Sequence, residues 1–288
     1  MTMEEGMKAR VKRAMKGSIR KAVDLSAKTR AGKYVFKQIL SSSMDQVRDV
    51  VHDGVSLRFT VPNVLCEWRA QTFSTKEPET LAWIDSMPEG AVLWDVGANV
   101  GLYSVYAAKR RSCRVWAFEP SIFNLEILAR NIYTNNLVKQ VCIVPFALSS
   151  QVGSSQLHMT TTEWGGALST FGHEFGWDGK AMEQVFEFQT MGIEMDFARE
   201  KLAIPQPDYI KMDVDGIEHL ILNGGKSVLA QVKGVLIEVN DDFHEQAEQC
   251  EKLLVAAGLL MKGKLHSEII GASTTGFQNC YNQIWVRS

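Results

Sequence analysis

From Ala91 the chain settles into an order that few folds can satisfy: an apolar run at 91–96, a helical segment at 101–110, an apolar run at 114–119, a helical segment at 121–136 and an apolar run at 141–147. Short apolar runs bounded by turns read as strands buried on both faces, and such strands separated by helices make a parallel sheet with helices on each side. The order pauses between Ser149 and Pro207, then resumes with strand 208–213, helix 217–230, strand 234–239, helix 243–257, strand 259–265 and a last strand at 280–287. Segments of alternating polarity at 155–160 and 185–191 flank Trp164-Gly165-Gly166 within the pause. Ahead of the repeating part, 54–61 and 64–69 read as short strands around Pro62, and Glu77 to Ser86 reads as a helix started by Ser74, Thr75 and Pro78. The expected architecture is a doubly wound α/β sheet carrying an N-terminal extension.

Composition removes other classes. Hydrophobic residues make up 45% of the chain and charged residues 22%, as in an ordinary globular protein and unlike a disordered or collagenous one. No stretch approaches the roughly 20 apolar residues of a membrane span, and no apolar block of the signal-peptide kind follows the basic N-terminus, so a soluble cytoplasmic protein is expected. Cys66, Cys113, Cys142, Cys250 and Cys280 are scattered and form no CxxC pair, which fits a reducing compartment better than a zinc site or a disulfide framework. Charge is uneven: residues 1–40 hold eleven Lys and Arg against three Asp and Glu, while the whole chain has a net charge of −2. Val11, Met15, Ile19, Ala22 and Val23 recur at helical spacing from Lys8 to about Ala27, with Lys12, Arg13, Lys16 and Arg20 on the other faces. Such a basic helix either packs as a solvated face on its own domain or a second copy, the commoner case, or makes peripheral contact with an anionic membrane surface or an acidic partner.

The first strand ends in Asp95-Val96-Gly97-Ala98-Asn99-Val100-Gly101, directly before a helix. In a doubly wound sheet, ligands bind at that edge, and glycine lets backbone approach a ligand without a Cβ in the way. The G-x-x-x-G spacing is not the G-x-G-x-x-G dinucleotide fingerprint. Glu119, at the end of the second strand and followed by Pro120, can accept hydrogen bonds from the vicinal hydroxyls of an adenosine ribose. Asp95 would repel a pyrophosphate and suits a cationic amino acid moiety, which favours S-adenosylmethionine over a nicotinamide cofactor.

These blocks resemble the FkbM family of S-adenosylmethionine-dependent methyltransferases. The matching pieces are Asp95 to Ser104, Phe118-Glu119-Pro120 with Asn124 and Asn131 following, Ile210 to Glu218, and Leu236 to Val239, with Lys76-Glu77-Pro78-Glu79 similar to a stretch ahead of the first strand. The resemblance implies the Rossmann-like, seven-stranded class I methyltransferase fold over residues 76–288, an extension over 1–75, and an insertion at about 150–190 that shapes the substrate site. It also implies methylation of hydroxyl oxygens on sugars, glycans or secondary metabolites. Carried over by position, Asp95, Gly97, Asn99 and Gly101 would hold the methionine end of the cofactor and Glu119 its ribose, with Glu77, Ala98, Pro120 and Asn124 as further cofactor-binding candidates. Ala147 and Leu148 would lie against adenine, and Asp213 would face the cofactor amine or the acceptor. His219 departs from the commoner family pattern and reads as a helix residue.

Methyl transfer to an alcohol needs a base or a metal to manage the hydroxyl proton. Asp213, Asp215 and Glu218 follow the fourth strand of the repeating part, and Glu238 and Asn240 end the fifth. Asp213 or Asp215 as general base is the preferred reading, with Glu238 as a third catalytic candidate. A divalent cation held by Asp213, Asp215 and Glu238 or Asn240 is an alternative not favoured, and a third is that Asp215 and Gly216 shape the turn while Glu218 caps the helix. Trp164-Gly165-Gly166 is either a lid or a surface loop with a buried Trp. His158, His173 and His244 lack ligand spacing, and His244 is the one expected nearest the site. A small-molecule or glycan acceptor is the expected partner, a homo-oligomer is compatible, and nucleic acid is not expected: the Pro-Pro-Tyr/Phe motif of DNA amino-methylation is missing after Asp213. A non-catalytic cofactor-binding module is the competing reading.

Overall fold

The computed structural model describes residue 15, residues 17–18, 20–266 and 277–287. Two compact units divide the chain, Met1–Gln46 and Val47–Ser288. In the first, residues 20–26 are helical, and helix α1 spans Arg30–Met44 behind an N-cap at Thr29, whose hydroxyl accepts Gly32 N–H at 2.9 Å. Residues 8–14, 16 and 19 of the expected basic helix lie outside the described residues. Among the described residues, no helix is long and apolar enough to cross a membrane.

The second unit opens with an antiparallel hairpin, β1 (Val47–His52) and β2 (Val55–Thr60). Its turn is Asp53-Gly54, both at positive φ, as a two-residue hairpin turn requires. The expected strand at 64–69 is instead helix α2 (Val64–Gln71). Asn63 caps it by accepting Cys66 N–H at 2.8 Å, and the buried Cys66 and Ala70 stand four residues apart, one helical turn. So short an apolar run carries no periodicity that separates strand from helix. Helices α3 (Phe73–Lys76) and α4 (Pro78–Asp85) follow, the latter with Pro78 at its first turn, where a missing N–H costs nothing.

The repeating part forms one seven-stranded sheet. Its members are β3 (Val92–Val96), β4 (Arg114–Phe118), β5 (Val141–Val144), β10 (Tyr209–Met212), β11 (Gly234–Asn240), β12 (Leu259–Leu265) and β13 (Cys280–Arg287), in the order β5-β4-β3-β10-β11-β13-β12. All run parallel except β13, which is antiparallel to β11 and β12. This is the doubly wound, seven-stranded sheet that the resemblance implied. Every residue of β3 is buried, and Trp94 satisfies its indole N–H on Pro205 O at 3.1 Å. Helices α5 (Leu102–Arg111) and α6 (Ile122–Thr134) follow β3 and β4. The pause in the pattern holds a second, four-stranded sheet of β6 (Ala147–Leu148), β7 (Gly153–Met159), β8 (Ser169–Phe171) and β9 (Phe186–Ile193), followed by helix α7 (Met195–Lys201). The expected helix 217–230 is two, α8 (Glu218–Asn223) and α9 (Lys226–Leu229). The break is Gly224-Gly225, where a Cβ on Gly225 would sit 2.0 Å from the end of the Met195 side chain. Helix α10 (His244–Ala256) leads into β12.

Asn131 on α6 and Asn135 at its C-cap tie the hairpin to the sheet. Asn135 accepts Arg58 N–H at 3.0 Å and donates to Arg58 O at 2.6 Å, standing in for a strand partner. Asn131 accepts Thr60 N–H at 2.7 Å and donates to Val100 O at 2.8 Å. An unsatisfied buried polar group costs about 1–3 kcal/mol, so Asn131→Ala, which strands two of them, is expected to lose about 2–5 kcal/mol in urea unfolding. A loss within experimental error would show that β2 holds its place without α6.

Candidate functional site

The backbone leaves β3 and β10, neighbours at the centre of the sheet, in opposite directions, and a crevice opens between the two loops. Gly97 makes the crevice tight: it has φ +76°, and a Cβ there would lie 1.9 Å from Asp213 O. Gly101, also at positive φ, serves packing instead, since a Cβ would lie 2.3 Å from Leu128 Cδ1 on α6. It lines neither cavity of the crevice, in contrast to its expected place at the methionine end. A narrow slot runs towards β4 and β5, and a cavity of about 420 Å³ runs towards α2 and α5; Gly97, Asn99, Asp213 and Asp215 border both.

The slot is apolar at its inner end, where Phe118, Phe146, Ala147 and Leu148 line it, with Pro120 beside them. Glu119 supplies its one buried carboxylate. Oε2 accepts Asn99 N–H at 2.7 Å and Oε1 accepts Ser121 N–H at 2.8 Å, leaving acceptor capacity on each oxygen. Burial outweighs those bonds and raises its pKa to about 7. Asn124 borders the slot, where its amide also supports the charged form of Glu119, and ties the slot to the insertion: Nδ2 donates to Gly166 O and Oδ1 accepts Gly165 N–H, both at 3.0 Å.

The larger cavity is built on buried charge. Lys211, on β10, lies 3.2 Å from Asp213 and 4.0 Å from Asp95. Burial alone would depress the Lys211 pKa, but Asp213, Asp95 and Glu77 overcome it and hold the ammonium charged. Glu77, on the wall beside Ala98 and Tyr103, pairs with Lys76 at 2.6 Å. Burial works to raise its pKa too, yet Lys76 and Lys211 bring it down to about 2. Asp95 is a correction to the sequence reading: it is 1% exposed, lines neither cavity, and accepts Ser104 Oγ–H at 2.6 Å. Its Oδ1 has no hydrogen-bond partner and faces Lys211, so Asp95 anchors the lysine from behind the strand end and does not touch the crevice.

Asp213, Asp215 and Glu238 come together on this cavity from β10 and β11. Asp215 sits at φ +62° and accepts Leu168 N–H at 2.7 Å. Burial, helped by the charge of Asp213, raises its pKa to about 6. Burial, with Asp213 and Glu77 alongside, raises the pKa of Glu238 well above the ordinary carboxylate value, which favours its protonated form. Glu218 and Asn240 do not reach the cavity. Glu218 accepts Val214 N–H at 3.0 Å and Gly216 N–H at 3.1 Å and binds Gln246, bracing the loop rather than capping α8. Asn240 donates to Trp177 O at 3.2 Å and accepts Asp242 N–H at 3.0 Å. Among the described residues, no three His, Cys, Asp or Glu side chains are grouped as metal ligands. His244 is exposed and borders neither cavity, contrary to its expected approach, while His219 is buried with its ring edge-on to Phe243.

Trp164-Gly165-Gly166 closes over the crevice through its backbone carbonyls, not through the indole. Trp164 O accepts Asn63 Nδ2–H at 3.0 Å, Gly165 O accepts Arg69 Nε–H at 2.7 Å, and Gly166 O accepts Asn99 Nδ2–H at 2.7 Å. The next residues, Ala167 and Leu168, line the larger cavity. Lys211, Tyr103 and the α2 pair Trp68 and Arg69 are wall residues that sequence reasoning missed. A lysine inside an otherwise apolar strand, Tyr209 to Met212, was the available signal for Lys211, because such a charge persists only when paired. Trp68 and Arg69 had none once their segment read as a strand.

A model of the family described as the methyltransferase FkbM domain matches residues 95–270. The hexuronic acid methyltransferase AglP of Haloferax volcanii is 26% identical over 187 residues, covering 65% of this chain and 72% of that protein. The methyltransferase sdnD of Sordaria araneosa is 32% identical over 75 residues, 26% of this chain and 29% of its own. Among solved structures, TYW2 of P. horikoshii in complex with MeSAdo aligns over 92% of this chain and 86% of its own, with a TM-score of 0.47 and 13% identity.

Removing one partner of a buried ion pair costs about 3–5 kcal/mol, so Lys211→Met is expected to lose that much stability at pH 7. Without the ammonium, the folded-state pKa of Asp95, already raised by burial, rises further above its unfolded value, and the lowering of Glu77 is reduced. Stability gained from a group so raised is present at low pH and lost as pH rises through the folded pKa, so the deficit should shrink between pH 7 and pH 5. Chemical denaturation at the two pH values measures this; a deficit that does not depend on pH would mean the carboxylates are held by something other than Lys211.

Proposed function

Since the chain belongs to the FkbM methyltransferase family, we propose that it transfers a methyl group from S-adenosylmethionine to a hydroxyl oxygen of a sugar or secondary metabolite, with Asp215 as the general base. The observation that carries the reading is the convergence of Asp213, Asp215 and Glu238 on a cavity that meets the Glu119 slot at Gly97. The residues fit the cofactor. The apolar slot with Ala147 and Leu148 suits adenine, Glu119 has free lone pairs for ribose hydroxyls, and the missing Cβ of Gly97 opens the passage between the two cavities. Asp213, Glu77 and Asn99, on the wall beyond that passage, suit the amino acid end. When bound, S-adenosylmethionine supplies an electrophilic methyl group on a sulfonium.

The three carboxylates divide the remaining work by environment. Asp213 is engaged by Lys211 at 3.2 Å, so its carboxylate is already committed to an ion pair. Asp215, titrating at about 6, is ionised at neutral pH and lies close enough to the working range to take the hydroxyl proton as the new C–O bond forms. Glu238, in its favoured protonated form, can donate a hydrogen bond that orients the acceptor oxygen. The Gly165-Gly166 loop limits water at the crevice, because its carbonyls are already held by Arg69, Asn99 and Asn124.

Two measurements test the assignment. Ribose hydroxyls donate to the ionised form of Glu119, so S-adenosylhomocysteine affinity should fall as pH drops below about 7, by at most about tenfold per unit, because protonation competes with binding. Glu119→Gln should bind about 10- to 100-fold more weakly and lose that pH dependence; a folded variant with undiminished affinity would remove the ribose role. For the base, Asp215→Asn should keep cofactor affinity while lowering turnover by about 10²–10⁴, with EDTA without effect on the wild type. Full activity of the variant would leave proximity and orientation as the means of transfer. Tight cofactor binding with no methylation across a panel of hydroxyl compounds would favour a non-catalytic module.

A further inference from the structure

Arg69 is the cation on the cavity wall with no carboxylate of its own. Lys76 is paired with Glu77 and Lys211 with Asp213 and Asp95. The Arg69 guanidinium spends Nε on Gly165 O at 2.7 Å, and among the described residues no carboxylate lies within ion-pair distance of it and no acceptor engages its Nη groups. Those two groups form the end of the fork, which binds a carboxylate end-on through one N–H from each. The residue is held where it can do so. Helix α2 is fixed by the Asn63 cap, and the Gly165 carbonyl locks the inner nitrogen, so little side-chain entropy is left to lose on binding.

The surroundings define the rest of the ligand. Trp68, adjacent on α2, lines the same cavity and remains 41% exposed, an aromatic face without a full partner. Phe73 and Phe277 add further aromatic wall, the latter stacked on Trp177 at 4.1 Å between ring centres. Opposite stand Asp215 and Glu238, acceptor and donor for hydroxyl groups. An aromatic platform, hydroxyl partners and one unpaired guanidinium describe a polyhydroxylated ring that carries a carboxylate. The acidic side chains of the cavity do not cancel this. Glu77 and Asp213 are paired with the two lysines, the pKa of Glu238 is raised well above the ordinary carboxylate value, and Arg69 acts on Asp215 by lowering its pKa without an ion pair among the described residues.

We propose that Arg69 is the specificity-determining residue for the acceptor, binding a carboxylate on a sugar-like ring that stacks on Trp68, so that the enzyme prefers a uronic acid to the neutral sugar of the same configuration. The proposal rests on the reading of the cavity as the acceptor site for O-methylation. Calorimetry on the S-adenosylhomocysteine-loaded protein would compare methyl glucuronoside with methyl glucoside, and methyl galacturonoside with methyl galactoside. Tritium transfer from labelled S-adenosylmethionine would be followed on the same four compounds.

The wild type should bind at least one acid about tenfold or more tightly than its neutral partner, as a charge-assisted pair provides. Arg69→Gln should abolish the preference by weakening the acid alone, and Arg69→Lys should retain part of it. Equal binding of acid and neutral sugar, binding of none of the four, or a preference that survives in Arg69→Gln would overturn the proposal. So would an equal loss for acid and neutral sugar together with weakened S-adenosylhomocysteine binding, because that pattern means Arg69 only holds the Gly165 loop. The two readings fail differently. Methylation of neutral sugars as readily as acids refutes the carboxylate preference and leaves O-methylation standing, whereas Arg69-dependent acid binding without methyl transfer to any hydroxyl refutes O-methylation and leaves the carboxylate site.

Discussion

A single buried ammonium organises the centre of the molecule. Lys211 projects from β10 among Asp95 at the end of β3, Asp213 in the loop after its own strand, and Glu77 ahead of α4. An unpaired charge at such depth would be prohibitive, and so would the buried Asp95 without the lysine. The cluster therefore fixes three separate stretches of chain relative to one another. Two of them form the walls of the crevice: Gly97 can lie against Asp213 O only if β3 and β10 end at matching heights, which their register ensures with Asp95 beside Lys211.

Around that centre, asparagine side chains and backbone carbonyls do the joining that a regular sheet cannot. Asn131 and Asn135 hold the β1–β2 hairpin against α6, and Asn99, Asn124 and Asn63 hold the Trp164 to Gly166 loop over the crevice. Each satisfies backbone groups that would otherwise be buried without partners. The result is a roof on the site that depends on amide geometry and not on the bulk of Trp164. Arg69 joins roof and cavity: its Nε is committed to the roof while the residue lines the larger cavity.

Much of this plan is legible in the residues themselves. The alternation of apolar runs and helices from Ala91 predicts β3 through β5 and β10 through β13 because burial on both faces imposes a pattern that needs no knowledge of neighbours. Gly97, Glu119 and Asp213 could be placed at strand ends for the same reason, and strand ends in such a sheet form one edge. Less legible were the segments whose state is decided by a partner far along the chain. Residues 64–69 read as a strand until the Asn63 cap and the burial of Cys66 and Ala70 make them a helix. Asp95 reads as a ligand-facing carboxylate until the depth of Lys211 shows where its charge is spent. Glu218 and Asn240, plausible ligands by position, turn out to brace loops.

The sequence by itself determined the sheet, its edge and the family, because these rest on local periodicity and on short blocks of residues whose geometry is set within one strand-loop-helix unit. Only the tertiary structure decided how Asp213, Asp215 and Glu238 differ, since they differ not in kind but in what surrounds them: a lysine at 3.2 Å, the backbone amides of Leu168 and Ser169, or burial among other carboxylates. It decided likewise that Trp68 and Arg69, about 140 residues from Lys211 in the chain, share its cavity. Pairing of charges and exclusion of water act through space over a few ångströms, and no spacing in the sequence encodes which distant groups will come that close.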